Sequence, residues 1–192
     1  MRNKDICLFL SGKTGSGKQL IADHIVNTYD FYEYSFGKPI RDFFFLALPD
    51  FDYHENVTAR SIINEIAEAP KRLDPACWAK VLVESIVRGN KQRVIVSDLR
   101  FNIEQNYCDS MLSRFYDLKY INVISNLDWH VNIDRSTIEK YNTEISEHYS
   151  NTEHESFIFD YILQNDGGLD DLTASIDVLM EDILGIDSKD YP

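Results

Sequence analysis

Apolar positions along this chain fall into two rhythms. Ile6-Cys7-Leu8-Phe9-Leu10 and Arg93-Val94-Ile95-Val96-Ser97 are near-continuous apolar runs, the pattern of strands buried on both faces. Residues 32–36, 120–124 and 159–163 are further short strand candidates. Between them the apolar spacing lengthens to the helical period. Helices are expected over residues 20–29 and from Pro39 to a stop at Pro49, with Ile40, Phe43, Phe44 and Ala47 on the buried side. Another is expected over 58–69, where Ile62, Ile63 and Ile66 share a face and Pro70 ends the run. Asp74-Pro75 reads as an N-cap and first helical position, opening a helix through Trp78, Val81, Leu82 and Ile86 to Gly89-Asn90. Residues 103–114, 127–141 behind an Asn126 cap, and 169–184 before a Gly185 C-cap complete the set. Five strands alternating with helices predict an α/β protein built on a five-stranded parallel sheet with helices on its faces. Ligands of such sheets bind at the C-terminal strand edge.

The loop leaving the first strand carries the most specific chemistry. Gly12, Lys13, Thr14, Gly15, Ser16, Gly17 and Lys18 have the spacing G-x-x-x-x-G-K of a P-loop, set between a strand and a helix as that loop requires. Glycines let successive N–H groups curl around a phosphate, the helix N-terminus adds partial positive charge, and the lysine reaches the outer phosphates. ATP is the expected ligand, in a P-loop NTPase three-layer fold. The next residue, usually a magnesium-ligating Ser or Thr, is Gln19. Its amide oxygen is still a hard ligand but sits on a longer arm, so Mg2+ coordination at this corner is altered.

Composition narrows the partners. At 192 residues the chain suits one domain with one substantial core, residues 1–192 as a whole. No apolar run approaches the ~20 residues of a membrane span, and no secretion signal opens the chain, so a cytoplasmic protein with no membrane contact is expected. Cys7, Cys77 and Cys108 are widely spaced in apolar surroundings and read as reduced residues without zinc-ligand spacing. Of 32 acidic and 19 basic residues, 13 acidic and one basic lie from Tyr141 onward, a net −12 there against −1 before it. Such a chain repels duplex nucleic acid, whereas a nucleotide suits it.

A P-loop names a ligand and leaves the reaction open. The stretch 34–88 is long, helical, aromatic and basic, as an acceptor-binding insertion would be. Lys38, Arg41, Arg60, Lys71 and Arg72 lie in it, either as grips for an anionic acceptor or as surface charges. Asp98 follows the second apolar strand, where an acidic group orients magnesium or caps a turn. Arg100 is placed to reach a transferring phosphoryl group, or to pair with Asp98. No histidine pair has metal spacing, and a phosphate acceptor, with its second pKa near 6, needs no general base.

The chain also resembles a known family, the bacteriophage-type deoxynucleoside monophosphate kinases, relatives of adenylate- and guanylate-type kinases. Phe9-Leu10-Ser11-Gly12 through Lys18, with Ala22-Asp23, is similar to its opening motif. Tyr34-Ser35-Phe36-Gly37-Lys38-Pro39-Ile40-Arg41-Asp42 is similar to its acceptor segment, Asp74 with Trp78-Ala79-Lys80 to its tryptophan helix, and Val96-Ser97-Asp98-Leu99-Arg100-Phe101-Asn102 with Glu104 to its Asp-x-Arg strand end. Ile162, Asn165-Asp166-Gly167 and Leu169-Asp170-Asp171-Leu172 resemble its closing segment. The order of these motifs, more than any one of them, carries the resemblance.

That resemblance implies transfer of the γ-phosphoryl of ATP to a dNMP, giving dNDP and ADP for nucleotide metabolism, in the host cytoplasm if the chain is phage-encoded. It implies catalytic roles for Lys18, Arg41, Arg100 and Arg135, and monophosphate contacts from Lys38, Arg41, Arg60, Trp78 and Arg100. It places Asn165, Asp166 and Gly167 near the adenine of ATP, magnesium at Asp98 and Gln19, and a lid over residues 126–155. The lid offers only Arg135 and Lys140 as cations, so the clamp must come from the core. The P-loop and Asp-x-Arg elements also resemble an animal-type phosphomevalonate kinase, and Gln19 with the cation-poor lid would suit a silent nucleotide-binding relative. The aromatics from Phe43 to Phe51 suit either a homodimer contact or the core.

Overall fold

The computed structural model describes residues 4–49, 51, 56–125 and 158–185. Its centre is β1 (Asp5–Ser11), hydrogen-bonded on one side to β3 (Arg93–Val96) and on the other to β4 (Tyr116–Ile124). β2 (Tyr32–Tyr34) and β5 (Tyr161–Gln164) form the edges, giving the order β2-β3-β1-β4-β5 with every pair parallel. Successive side chains of a strand face opposite ways, so β1 divides its apolar residues between two cores. Cys7 and Phe9 join Val94, Val96, Leu82, Ile86 and Leu112 on one face, while Leu8 and Leu10 join Ile21, Ile25, Ile95, Ile121 and Met180 on the other. Burying each such side chain contributes up to about 1.5–3 kcal/mol. A central strand packed on both faces and hydrogen-bonded along both edges holds the loop at its end in place.

The helices are α1 (Lys18–Tyr29), α2 (Gly37–Ala47), α3 (Val57–Lys71), α4 (Cys77–Gly89), α5 (Asn102–Leu112) and α6 (Leu169–Leu184). α1 and α6 cover one face of the sheet, α4 and α5 the other, and α2 packs against α3. α6 ends at Gly185 in the left-handed conformation (φ 66°), as its C-cap spacing predicts.

Several local expectations change. On α2 only Ile40 and Phe44 are buried; Phe43 is 59% exposed and Ala47 is exposed, because the helix presents a narrow i, i+4 stripe to the core. Pro70 does not stop α3, since in the last turn it removes a single N–H bond and the helix runs on to Lys71. Asp74 is not the expected N-cap: its Oδ1 accepts from Ala76 N–H at 3.1 Å in the turn before the helix, and α4 begins at Cys77 with Ala76 as its N-cap. β4 starts at Tyr116, four residues earlier than its apolar run, because Asp117 and Lys119 interrupt the pattern without interrupting the ladder to β1. β2 ends at Tyr34, and Phe36 becomes the N-cap of α2. The expected helix at 127–141 and the lid lie outside the described residues.

Candidate active site

The phosphate loop takes its shape from three left-handed glycines, Gly12 (φ 133°), Gly15 (φ 83°) and Gly17 (φ 92°). At Gly12 the conformation is reinforced by crowding, since a Cβ there would stand 2.2 Å from the Val123 carbonyl oxygen of β4. Lys18, first residue of α1, folds back so that its ammonium donates to the Gly12 and Lys13 carbonyls at 2.7 and 2.8 Å. Burial, then the Arg100 charge, pull its pKa down to about 8, against the opposing pull of Asp98. Lys18, Arg100 and Asp98 therefore share one electrostatic neighbourhood. Lys13, Thr14 and Gly15 are exposed on the outer curve of the loop. Behind the loop, Asn165 is buried (1% exposed) and its Nδ2 donates to the Ser16 carbonyl at 2.9 Å. Asn165 is thus a brace of the phosphate loop, while the neighbouring Asp166 is half-buried and Gly167 exposed. The loop amides and Lys18 suit a triphosphate.

Gln19 is exposed, and its Nε2 donates to Asp23 Oδ1 at 2.9 Å and lies 3.4 Å from both carboxylate oxygens of Glu33. Glu33, the middle residue of β2, also accepts from the Ser97 hydroxyl. No sequence motif singles it out; its polar side chain between Tyr32 and Tyr34 is the only signal. Asp98 has a structural task that the strand-end motif does not announce. Its Oδ1 accepts from Phe36 N–H at 2.8 Å and its Oδ2 from Gly37 N–H at 2.9 Å, so it caps α2 from across the sheet edge. Among the described residues no group of three or more His, Cys, Asp or Glu side chains is close enough to cage a metal. Magnesium keeps most of its waters beside phosphates and asks for only one or two carboxylates; Asp98 and Glu33 are carboxylates of that kind, whereas the Gln19 atom turned toward Glu33 is its Nε2 and not a ligand oxygen.

Beside these residues lies a cavity of about 230 Å³ between α2, α3, α4 and the start of α5. Phe36, Trp78 and Phe101 supply aromatic lining, and Arg41, Arg100 and Lys71 supply positive charge. Arg41 is half-buried, its NH2 group 3.3 Å from the Ser35 hydroxyl, and Arg100 is exposed at the rim. Gly37 keeps Arg41 in reach of the cavity, since a Cβ at Gly37 would stand 2.7 Å from the Arg41 NH1 atom. Trp78 is held by its indole N–H, which donates to the Ala67 carbonyl at 2.8 Å. The Lys71 ammonium pairs with Glu68 at 2.9 Å and sits 4.0 Å above the Phe101 ring.

Of the residues expected to grip a monophosphate, the cavity thus gathers Arg41, Trp78 and Arg100. Lys38 is turned away, its exposed ammonium bound to Asp42 at 2.7 Å along α2. Arg60, half-buried on α3, does not line the cavity. Lys71 lines the cavity in addition, though its ammonium is paired with Glu68. Arg135 lies outside the described residues. Cys7 and Cys108 are buried, with thiol pKa values pushed up by burial, and Cys77 is partly buried with its pKa raised for the same reason.

A central parallel strand ending in a glycine loop and lysine-led helix, within the order β2-β3-β1-β4-β5, defines the α/β P-loop NTPase fold. The solved structures it resembles are P-loop kinases among others. The APS kinase CysC of Mycobacterium tuberculosis, solved with AMPPNP and APS, superposes with a TM-score of 0.55 at 13% identity, over 93% of this chain and 99% of that one. TT1252 from Thermus thermophilus gives a TM-score of 0.55 at 14% identity over 94% and 99%. The shikimate kinase of Bacteroides thetaiotaomicron gives 0.51 at 11% over 94% and 99%. No protein-family model and no curated protein sequence matches the chain. Among the described residues no helix is long and apolar enough to cross a membrane.

Proposed function

We propose that this chain is an ATP-dependent kinase whose acceptor is a deoxynucleoside monophosphate, with dNDP and ADP as products. The observation carrying the proposal is the cavity that joins aromatic walls to Arg41, Arg100 and Lys71 while sharing Arg100 and Asp98 with the surroundings of Lys18. A flat base suits the walls, and a dianionic phosphate suits the arginines. Lys18, mostly ammonium at neutral pH, exchanges its two carbonyl partners for the outer phosphates of ATP, whose charge favours its protonated form. Arg100 at the rim bridges the two ligands, and Arg41 sets the acceptor phosphate in line. That phosphate is already an oxyanion, so catalysis is positioning and charge neutralisation. Magnesium, carried by Asp98 and Glu33 through its waters, would supply charge neutralisation on the phosphates.

A second reading has its own observation. Glu33 is an exposed carboxylate at the strand edge, beside Gln19 and Ser97, where it would serve as the base that a hydroxyl acceptor requires and a phosphate acceptor does not. A coupled assay of ADP release over dNMPs, NMPs, phosphomevalonate and hydroxyl-bearing small molecules separates the readings. Lys18→Ala is expected to abolish turnover. Wild-type activity in that variant, or ADP release only with non-nucleotide acceptors, overturns the proposal.

A further inference from the structure

Glu104 is buried against the cavity (6% exposed) yet uses only half of its carboxylate. Its Oε2 accepts from the backbone N–H groups of Arg100 and Phe101, each at 3.0 Å. This is the N-terminal cap of α5, and it fixes both the side-chain rotamer and the turn that presents Arg100 and Phe101. Nothing in the cap requires the other oxygen. Oε1 has no hydrogen-bond partner among the described residues, and it is not one of the fully enclosed orphan atoms Ser16 Oγ, Asn122 Oδ1 and Asn165 Oδ1. Glu104 lines the cavity together with Phe36, Trp78 and Phe101, so Oε1 is the oxygen left to meet a ligand there.

A carboxylate oxygen facing such a cavity exchanges water for a donor when a ligand that carries one binds, and strands itself when the ligand carries none. The cavity's own cations have other work or other places. Lys71 is tied to Glu68 and to the Phe101 ring, and Arg41 and Arg100 stand where the acceptor phosphate is proposed to bind. Building on the monophosphate-kinase reading above, we infer that Glu104 reads the base of the acceptor, its Oε1 accepting a hydrogen bond from an N–H group on the base edge while the aromatic residues hold the ring. The side chain is thereby a specificity residue that also caps a helix.

Two features give this selectivity. The oxygen is a pure acceptor when ionised, so a base presenting a carbonyl at that place meets repulsion where one presenting an amino group gains a bond. The position is also rigid, because the companion oxygen is held by two backbone groups. Burial raises the Glu104 pKa to about 7; the N–H bonds of Arg100 and Phe101 oppose that, Asp98 adds to it and Lys71 opposes it, with Glu68, Arg41 and Arg100 lining the same cavity. Assays at pH 8 keep it ionised.

The test is steady-state kinetics at pH 8 with dAMP, dCMP, dGMP and dTMP on wild type, Glu104→Gln and Glu104→Asp. In Glu104→Gln the amide oxygen can keep the Arg100 and Phe101 bonds while the NH2 group enters the cavity, so a donor replaces an acceptor. The expected result is a fall of about tenfold or more in kcat/KM for the preferred monophosphate, mostly through KM, and a changed order among the four bases. Glu104→Asp, which keeps the charge but withdraws it, should flatten the preference without inverting it. If both variants fold and the order of the four bases is unchanged, or all four fall by a common factor, Glu104 is a helix cap and no more. If wild type turns over none of the four, the monophosphate reading fails and this inference fails with it; activity with an unaltered base order sinks the inference alone.

Discussion

Asp98 allows two roles to be separated by one substitution. Its carboxylate accepts from Phe36 and Gly37 at 2.8 and 2.9 Å, binding the start of α2 to the end of β3. Asp98→Asn retains one acceptor and turns an NH2 group toward the other N–H. One charge-assisted bond becomes a neutral one and the other is lost with its donor stranded, a cost of about 1–3 kcal/mol for that donor alone. Loss of negative charge at the helix N-terminus adds about 0.3–1 kcal/mol. Together these give an expected loss of about 2–4 kcal/mol. With a urea slope of about 2 kcal/mol per molar for a domain of this size, the unfolding midpoint should fall by about 1–2 M. The assay is urea unfolding followed by circular dichroism in EDTA, repeated with magnesium and ATP. A side chain that served only to orient magnesium would leave the EDTA midpoint unchanged, or raise it by relieving repulsion with its neighbour Glu104. A midpoint in EDTA equal to or above wild type would refute the anchoring of α2 by Asp98.

Other outcomes follow from the same geometry. Gly12→Ala places a Cβ 2.2 Å from the Val123 carbonyl at a backbone angle that L-residues avoid. Loss of about 1–3 kcal/mol of stability and at least tenfold weaker ATP binding are expected, measured by thermal unfolding and nucleotide titration. The Glu104 carboxyl, raised from 4.5 to about 7, is bound to its proton more tightly in the folded state. Its contribution is therefore greatest below about pH 4.5 and falls as pH rises through 7, by about 3 kcal/mol in all. The stability of Glu104→Gln relative to wild type should thus rise across that window in paired denaturant titrations, and a pH-independent difference would contradict the raised value.

Much of this site is written locally. The glycines and lysine of the phosphate loop stand within seven consecutive residues between a strand and a helix, so spacing alone specifies the cradle. β1 and β3 are legible for the same reason, since each is one continuous apolar run, whereas Asp117 and Lys119 hide the start of β4, and the edge strands β2 and β5 depart from the expected 32–36 and 159–163. Side-chain direction is another matter. Lys38 and Arg41 are three residues apart on one helix, yet only Arg41 lines the cavity, while Lys38 finds Asp42 one turn on. Which of them turns inward depends on how α2 is rolled against α3, a property of two helices together. Glu33 is silent in the sequence, and Asn165 is legible there only as part of a closing segment and not as a brace of the loop, because their partners, Ser97 and Ser16, are 64 and 149 residues away. The cap that Asp98 gives α2 is hidden in the same way, 61 and 62 residues from its donors.

The separation between Asn165 and Ser16 bears on how the molecule is made. The nucleotide cradle is encoded almost at the start of the chain but is fastened only once β5 has docked beside β4. During synthesis the early portion would emerge with its glycines in place and their clasp still unmade. Competence for ATP should thus arrive late, with the last strand rather than with the motif that names it.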